Sequence, residues 1–301
     1  MIGAESAART LVTLGHGYCA RALAARLGPG WRAIGSTRRE DRLARLRAER
    51  VAPVLWDDRA AVEEAIGVAS HLLVSAPPDV AGDPLLARHR GALGAAERLR
   101  WIGYLSTTGV YGDRGGAWVD EAADLAPVNQ RSQWRAEAEM AWLRFGVETG
   151  LPVMVFRLAG IYGPGRSAFE RLRAGRAQRV IKEGQVFSRI HVEDIAAVLE
   201  ASIARPRAGR IYNVADDEPA PPEDVIEHAA RLIGMAVPPG IPYRQAELSP
   251  MARSFYAESK RVANRRITQE LGVRLRHPDY RAGLAAILAA EGAAGPPRRT
   301  E

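Results

Sequence analysis

Short apolar runs alternate with stretches of helical periodicity through the first half of the chain. "TLVTL" (10–14) leads into "YCARALAARL" (18–27), and "WRAIGS" (31–36) into "REDRLARLRAE" (39–49). "VAPVLW" (51–56) precedes "RAAVEEAIG" (59–67), and "SHLLVSAPP" (70–78) precedes "LLARHRGALGAAERL" (85–99). The apolar "RWIGYLSTTG" (100–109) and "LPVMVFRLA" (151–159) are separated by the helical "RSQWRAEAEMAWLRFGVE" (131–148). Continuous apolar strands separated by amphipathic helices predict βαβ units, and hence a doubly wound parallel sheet with helices on both faces, an α/β Rossmann fold. No fixed-period repeat competes with that reading.

The first strand ends in "GHGYCA" (15–20), a G-x-G-x-x-A in place of G-x-G-x-x-G. Gly15 stands where strand must turn sharply into helix, and Gly17 leaves room for the backbone to approach a pyrophosphate. Ala20 needs only to be small for close helix–strand packing. The N–H groups that open the helix, from His16 and Gly17 through Tyr18 and Cys19, are then placed to hold phosphates. Such a motif alone is weak, but at the first βα turn of a doubly wound pattern it predicts dinucleotide binding. Which dinucleotide is written at the end of the second strand. An acid there favours the NAD ribose, whereas this chain reads Ser36, Thr37, Arg38, Arg39. Arginine grips a phosphate bidentately, so the expected cofactor is NADP, with NAD the alternative. An arginine-rich helix start would look the same.

Composition narrows the class. The chain has 301 residues, 47% hydrophobic, and no apolar run long enough to span a bilayer. The N-terminus lacks a basic segment followed by an apolar one, and Cys19 is the single cysteine, so a cytoplasmic, metal-free protein without disulfides is expected. The +7 charge invites a nucleic-acid partner, but the arginines are interleaved with acids as on a solvated helix face, which speaks against one. No membrane partner is expected either.

Four further stretches resemble, in order and spacing, the extended short-chain dehydrogenase/reductases, the NAD-dependent epimerase/dehydratase family. They are "YLSTTGVYGD" (104–113), "VFRLAGIYGPGR" (155–166), "RIHVEDIAAVLEASI" (189–203) and "GRIYNVADDEP" (209–219). The match is closest to atypical members of the group. The resemblance implies that Asp57 and Asp58 reach the adenine and that Ser75, Ala76 and Pro77 line the cofactor. It implies that the Thr107 hydroxyl hydrogen-bonds the substrate's reacting oxygen. It also implies a Rossmann unit of residues 1–166 and 188–216, a smaller substrate domain of 167–187 and 217–291, and a disordered tail of 292–301. A small-molecule substrate and a monomer or homodimer complete the expectation.

The family's chemistry uses Tyr-x-x-x-Lys on the helix after strand five, where tyrosine trades a proton and lysine lowers its pKa and holds the ribose. That helix here, "PVNQRSQWRAEAEMAW" (127–142), contains neither residue. Aligned on Glu139, Arg135 falls at the lysine position and Arg131 at the tyrosine position. Arg135 keeps the charge, but a guanidinium does not give up a proton near neutrality. Tyr111, four residues after Thr107, is the candidate stand-in, with a packing role as the alternative. The one Tyr-x-x-x-Lys present, Tyr256 to Lys260, lies far past the cofactor half and reads as substrate-domain structure, before the helical "KRVANRRITQEL" (260–271). His191 and Asp194 read as a capping or core pair. The run Arg166, Arg171, Arg173, Arg176, Arg179, Lys182 is either an anion-facing segment or a solvated basic helix. Two functions remain: an oxidoreductase or epimerase-like enzyme with a degenerate site, acting on a hydroxyl or carbonyl of a sugar-type substrate, or a non-catalytic NADP(H) sensor.

Overall fold

The strands of the first half are nearly all apolar on both faces, which is the pattern a parallel sheet covered by helices requires. The computed structural model describes residues 9–293 and places them in that arrangement. The central strands are β1 (Arg9–Leu14), β2 (Trp31–Thr37), β3 (Val51–Leu55), β4 (His71–Val74), β5 (Trp101–Thr107), β7 (Val153–Leu158) and β11 (Ile211–Val214). They form one parallel sheet in the order β11-β7-β5-β4-β1-β2-β3. The order reverses between β1 and β4, and ligands of open α/β sheets bind in the crevice outside the strand ends at such a point.

Short parallel pairs lie outside the sheet: β6 (Trp118–Val119) with β13 (Arg261–Val262), β8 (Gly160–Tyr162) with β10 (Arg189–His191), and β9 (Arg179–Ile181) with β12 (Gly240–Pro242). The helices are α1 (Tyr18–Arg26), α2 (Leu43–Ala48), α3 (Arg59–Val68), α4 (Pro84–Gly94), α5 (Gln130–Thr149), α6 (Ala168–Arg173), α7 (Val192–Ala204), α8 (Pro222–Leu232), α9 (Pro250–Tyr256), α10 (Arg265–Gln269) and α11 (Tyr280–Ala293). One apolar cluster fills each face of the sheet, and a third joins Phe169 of α6, Ala229 of α8 and Leu284 of α11.

Two expectations change. The segment 260–271 is not one helix: Arg261 and Val262 pair with β6, and only Arg265–Gln269 is helical. The span expected as a tail from 292 begins inside α11, and residues 294–301 lie outside the described residues.

Helix α5 is the element that carries the site, and local chemistry sets both its ends. Asn129 caps it, its Oδ1 accepting from Ser132 N at 3.0 Å, and Gly150 ends it in the left-handed region at φ +72°. A buried charge pair fixes its angle to the sheet. Arg157 of β7 donates to Glu139 of α5 through Nε (3.1 Å) and Nη2 (2.7 Å), with both residues almost sealed from solvent. Removing one partner strands a buried charge, which typically costs about 3–5 kcal/mol. Glu139→Ala is expected to lose stability on that scale in urea unfolding; a loss under about 1 kcal/mol would show that the pair is not an anchor.

Candidate active site

The glycine turn has the geometry its sequence predicts. Gly15 sits at φ +90°, and a Cβ there would lie 2.9 Å from Ser75 Oγ and 3.1 Å from Ala76 N. Gly17 precedes α1, and a Cβ on it would meet nothing nearer than Gly15 O at 3.8 Å, so it faces open space at the helix start. The Gly17 position is therefore a cradle that a side chain would fill, at the positive end of a helix. Ala20 is fully buried on α1, which packs along α7.

The neighbours of the turn hold it rigid. Ser36 Oγ accepts from Gly15 N at 2.9 Å, and Ser36 O accepts from His16 N at 2.9 Å. The His16 side chain turns inward over Gly35, where a Cβ would lie 2.8 Å from the ring, and Nδ1 bonds Thr13 Oγ1 at 2.7 Å. His16 therefore supports the turn from below rather than reaching outward. Tyr18 donates to Pro164 O at 3.0 Å, tying the turn to the loop after β8. Burial pushes the Cys19 thiol up to about 11, so it is a packing group and not a nucleophile.

At the end of β2, Thr37 Oγ1 accepts from Arg39 N, Arg39 pairs with Asp41, and Arg38 is exposed with no partner among the described residues. Asp58 caps α3 through Ala61 N at 3.0 Å, and exposed Asp57 lies 3.6 Å from Arg88. Ser75 donates to Gly15 O, and Ala76 N donates to Leu14 O at 3.2 Å, while Pro77 is exposed.

At the end of β5, Thr107 Oγ1 accepts from Gly109 N at 3.1 Å, leaving its own proton unspent. Arg131 is exposed in the first turn of α5 with no partner among the described residues. Arg135 Nη1 donates to Leu105 O at 2.8 Å, Tyr104 Oη at 3.1 Å and Ala76 O at 3.4 Å. It thus braces the ends of β4 and β5, a task the alignment did not reveal. Tyr111 is not at the mouth. Its hydroxyl is sealed, donating to Asn213 Oδ1 at 2.7 Å and accepting from Arg157 Nη1 at 2.9 Å.

The Tyr256–Lys260 spacing does not lie on one helix, because α9 ends at Tyr256. Lys260 is nevertheless buried beside the turn that follows Tyr111, donating to Gly112 O at 2.7 Å and Glu258 Oε2 at 2.5 Å. Glu258 Oε1 accepts from Asn129 Nδ2 at 3.1 Å, which fastens this segment to the start of α5. Sequence spacing missed that link because its partners are 129 residues apart.

His191 caps α7, its Nδ1 accepting from Glu193 N, and its ring lies 3.9 Å from that of His277. Asp194 accepts from Arg276 N at 2.7 Å and His277 N at 3.0 Å. Though these three side chains converge, their bonds fasten the 276–277 loop to α7, the capping role expected of the pair. In the basic run, Arg173 pairs with Glu291 and Arg179 with Glu227, so part of it is spent on acids.

The model of the NAD dependent epimerase/dehydratase family matches residues 10–215. A solved structure of a functionally unknown conserved protein from Silicibacter pomeroyi DSS is 53% identical, with TM-score 0.87 over 94% of this chain and 99% of that one. The NAD complex of dTDP-glucose 4,6-dehydratase from Bacillus anthracis str. Ames shares the fold at 16% identity, with TM-score 0.72 over 95% and 97%. Protein YeeZ of Escherichia coli (strain K12) is 31% identical over 186 residues, 61% of this chain and 61% of that protein.

Two expectations follow from this geometry. Gly17→Val is expected to abolish dinucleotide binding while leaving the melting temperature of the free protein near wild type, as read by calorimetry; unchanged affinity would show that phosphates bind elsewhere. Burial also lowers His16, His71 and His191 to about 4. The unfolded chain takes up these protons below about pH 6.5 and the folded chain does not until about pH 4. Stability should therefore fall as pH drops from about 6.5 to about 4, and His71→Asn should flatten that slope in melts between pH 7.5 and 4.5; an unchanged slope would remove His71 from the account.

Proposed function

We propose that this chain, which belongs to the NAD dependent epimerase/dehydratase family, is an NADP-preferring enzyme that transfers hydride at a hydroxyl- or carbonyl-bearing carbon of a sugar-type substrate. The observation that carries the reading is the open cradle at Gly17, set at the switch point of the sheet. The residues present fit a dinucleotide. The N–H groups opening α1 would hold the pyrophosphate, Arg38 the extra ribose phosphate, and Ser75, Ala76 and Pro77 the adjoining wall. Asp57, at the end of β3, would face the adenine, while Asp58 is engaged as a cap. When bound, the nicotinamide supplies or accepts the hydride.

The chain's own groups do the rest. Thr107 has a free hydroxyl proton to offer a substrate oxygen, and Arg131 with the α5 N-terminus favours negative charge developing on that oxygen. Arg135 keeps the lysine's charge while holding β4 and β5 in place for the ribose. Tyr111 serves that frame instead of donating, because both sides of its hydroxyl are engaged inside the protein. Residues 167–187 and 217–291 are proposed as the substrate-holding part, in a cytoplasmic monomer or homodimer. Among the described residues no helix is long and apolar enough to cross a membrane. The alternative, an NADP(H) sensor without turnover, draws on the same sealed tyrosine.

NADP(H) is expected to raise the melting temperature more than NAD(H), since a ligand bound only by the folded state stabilises it. Arg38→Ala should erase the difference, at about 1–3 kcal/mol of binding free energy for a charge-assisted contact. Equal shifts from both cofactors in the wild type would reject the NADP preference.

A further inference from the structure

Beside Arg131, which falls at the family's tyrosine position, α5 brings up a hydroxyl of its own, that of Ser132. A Cβ built on Gly109 would lie 2.6 Å from Ser132 Oγ and 3.4 Å from Thr107 Oγ1. Both hydroxyls therefore lie beside Gly109 at the carboxyl end of β5, within about 6 Å of each other, and only a glycine there leaves Ser132 Oγ where it stands. Neither hydroxyl donates a hydrogen bond to any group among the described residues. Ser132 is 7% exposed, yet its Oγ takes no part in capping α5, which rests on its backbone N–H and Asn129. Asn129 is itself held by Glu258, and Glu258 by Lys260. The serine is therefore placed by a rigid chain of bonds while its own hydroxyl stays uncommitted. A serine in this position without a partner is a cost unless something else receives its proton.

We infer that Ser132 is a catalytic residue, the second hydroxyl that, with Thr107, holds the substrate's reacting oxygen and passes it a proton. The inference rests on the hydride-transfer reading above. In the reducing direction a C–H bond forms as the carbonyl π bond breaks, and the electron pair moves onto oxygen. That alkoxide takes the Ser132 hydroxyl proton and water reprotonates the serine, leaving hydroxide; a bound reduced dinucleotide would supply the hydride from its own C–H bond and so be oxidised. A serine hydroxyl is a poor acid, but the alkoxide it meets is about as strong a base as serinate, so the transfer is nearly balanced. Arg131 and the start of α5 stabilise the negative charge on either oxygen. The reverse reaction returns the proton by the same route.

The experiment is single-turnover oxidation of enzyme-bound NADPH with D-glyceraldehyde and 9,10-phenanthrenequinone as carbonyl probes. Ser132→Ala is expected to slow it about 10²-fold, the effect of losing one donor at a developing oxyanion. The NADPH Kd and the melting temperature should stay at wild-type values, and Ser132→Thr should restore most of the rate. Gly109→Ala, whose Cβ would come within 2.6 Å of Ser132 Oγ and displace it, should slow the step comparably with the serine still in the sequence. A solvent deuterium effect on the wild-type step should be present and should diminish in Ser132→Ala. Wild-type speed in Ser132→Ala alongside a slowed Thr107→Ala would overturn this inference and leave the oxidoreductase reading standing. A wild type that binds NADPH tightly but oxidises it with neither probe would overturn both.

Discussion

The contact between Glu139 and Arg157 fixes α5 against the sheet and with it the groups at the end of β5. Arg157 also donates to Tyr111, Tyr111 to Asn213, and Glu121 accepts from Asn213 N at 2.8 Å, so one bonded chain joins α5, β7, the turn after β5 and β11. A carboxylate and guanidinium taken from water need partners inside the protein, and here both Glu139 oxygens accept from Arg157 while all three Arg157 nitrogens donate. The consequence is that α5 cannot roll on the sheet. Its first turn, with Arg131 and Ser132, is therefore held over the end of β5. The same chain consumes Tyr111, which explains why a tyrosine at the right distance in sequence is the wrong group for proton transfer.

Much of the fold was legible in the sequence because it depends on local signals. Apolar runs, helical periods and the Gly15–Gly17 turn each reflect forces acting within a few residues, and the parallel order follows from short right-handed connections. The glycines also carried their reasons on their face: Gly15 needs φ +90° and Gly17 needs open space. Reading failed where a side chain's fate is decided across the fold. Nothing near Arg135 in sequence says that Nη1 will be taken by carbonyls of β5 and of the loop after β4. Nothing near Lys260 says that it will sit under Gly112. For segment 260–271, the helical period of arginines and apolar residues was overridden by pairing of Arg261 and Val262 with β6. Ser132 was invisible for a related reason, since an anchor on Glu139 directs attention to residues four apart and not to their neighbours.

The electrostatics of the interior lead to the same place. Burial lowers His16, His71 and His191 to about 4, and desolvation pushes Asp216 up to about 8. In each of these groups desolvation is the largest cause of the shift. Among the described residues the two most deeply buried ion pairs, Glu139 with Arg157 and Glu258 with Lys260, both lead to the β5 turn and the start of α5. A protein that needed only to fold would do as well with apolar residues at such positions, since replacing a buried pair by a well-packed apolar set is often neutral or stabilising. What an apolar set would not supply is direction: a guanidinium and an ammonium each fix several oxygens in space at once. That precision is useful where two hydroxyls must meet one substrate oxygen, because hydrogen bonds aimed in advance need no reorganisation when charge develops. The loss of the family's tyrosine is thus matched by a scaffold that still spends buried charge on positioning.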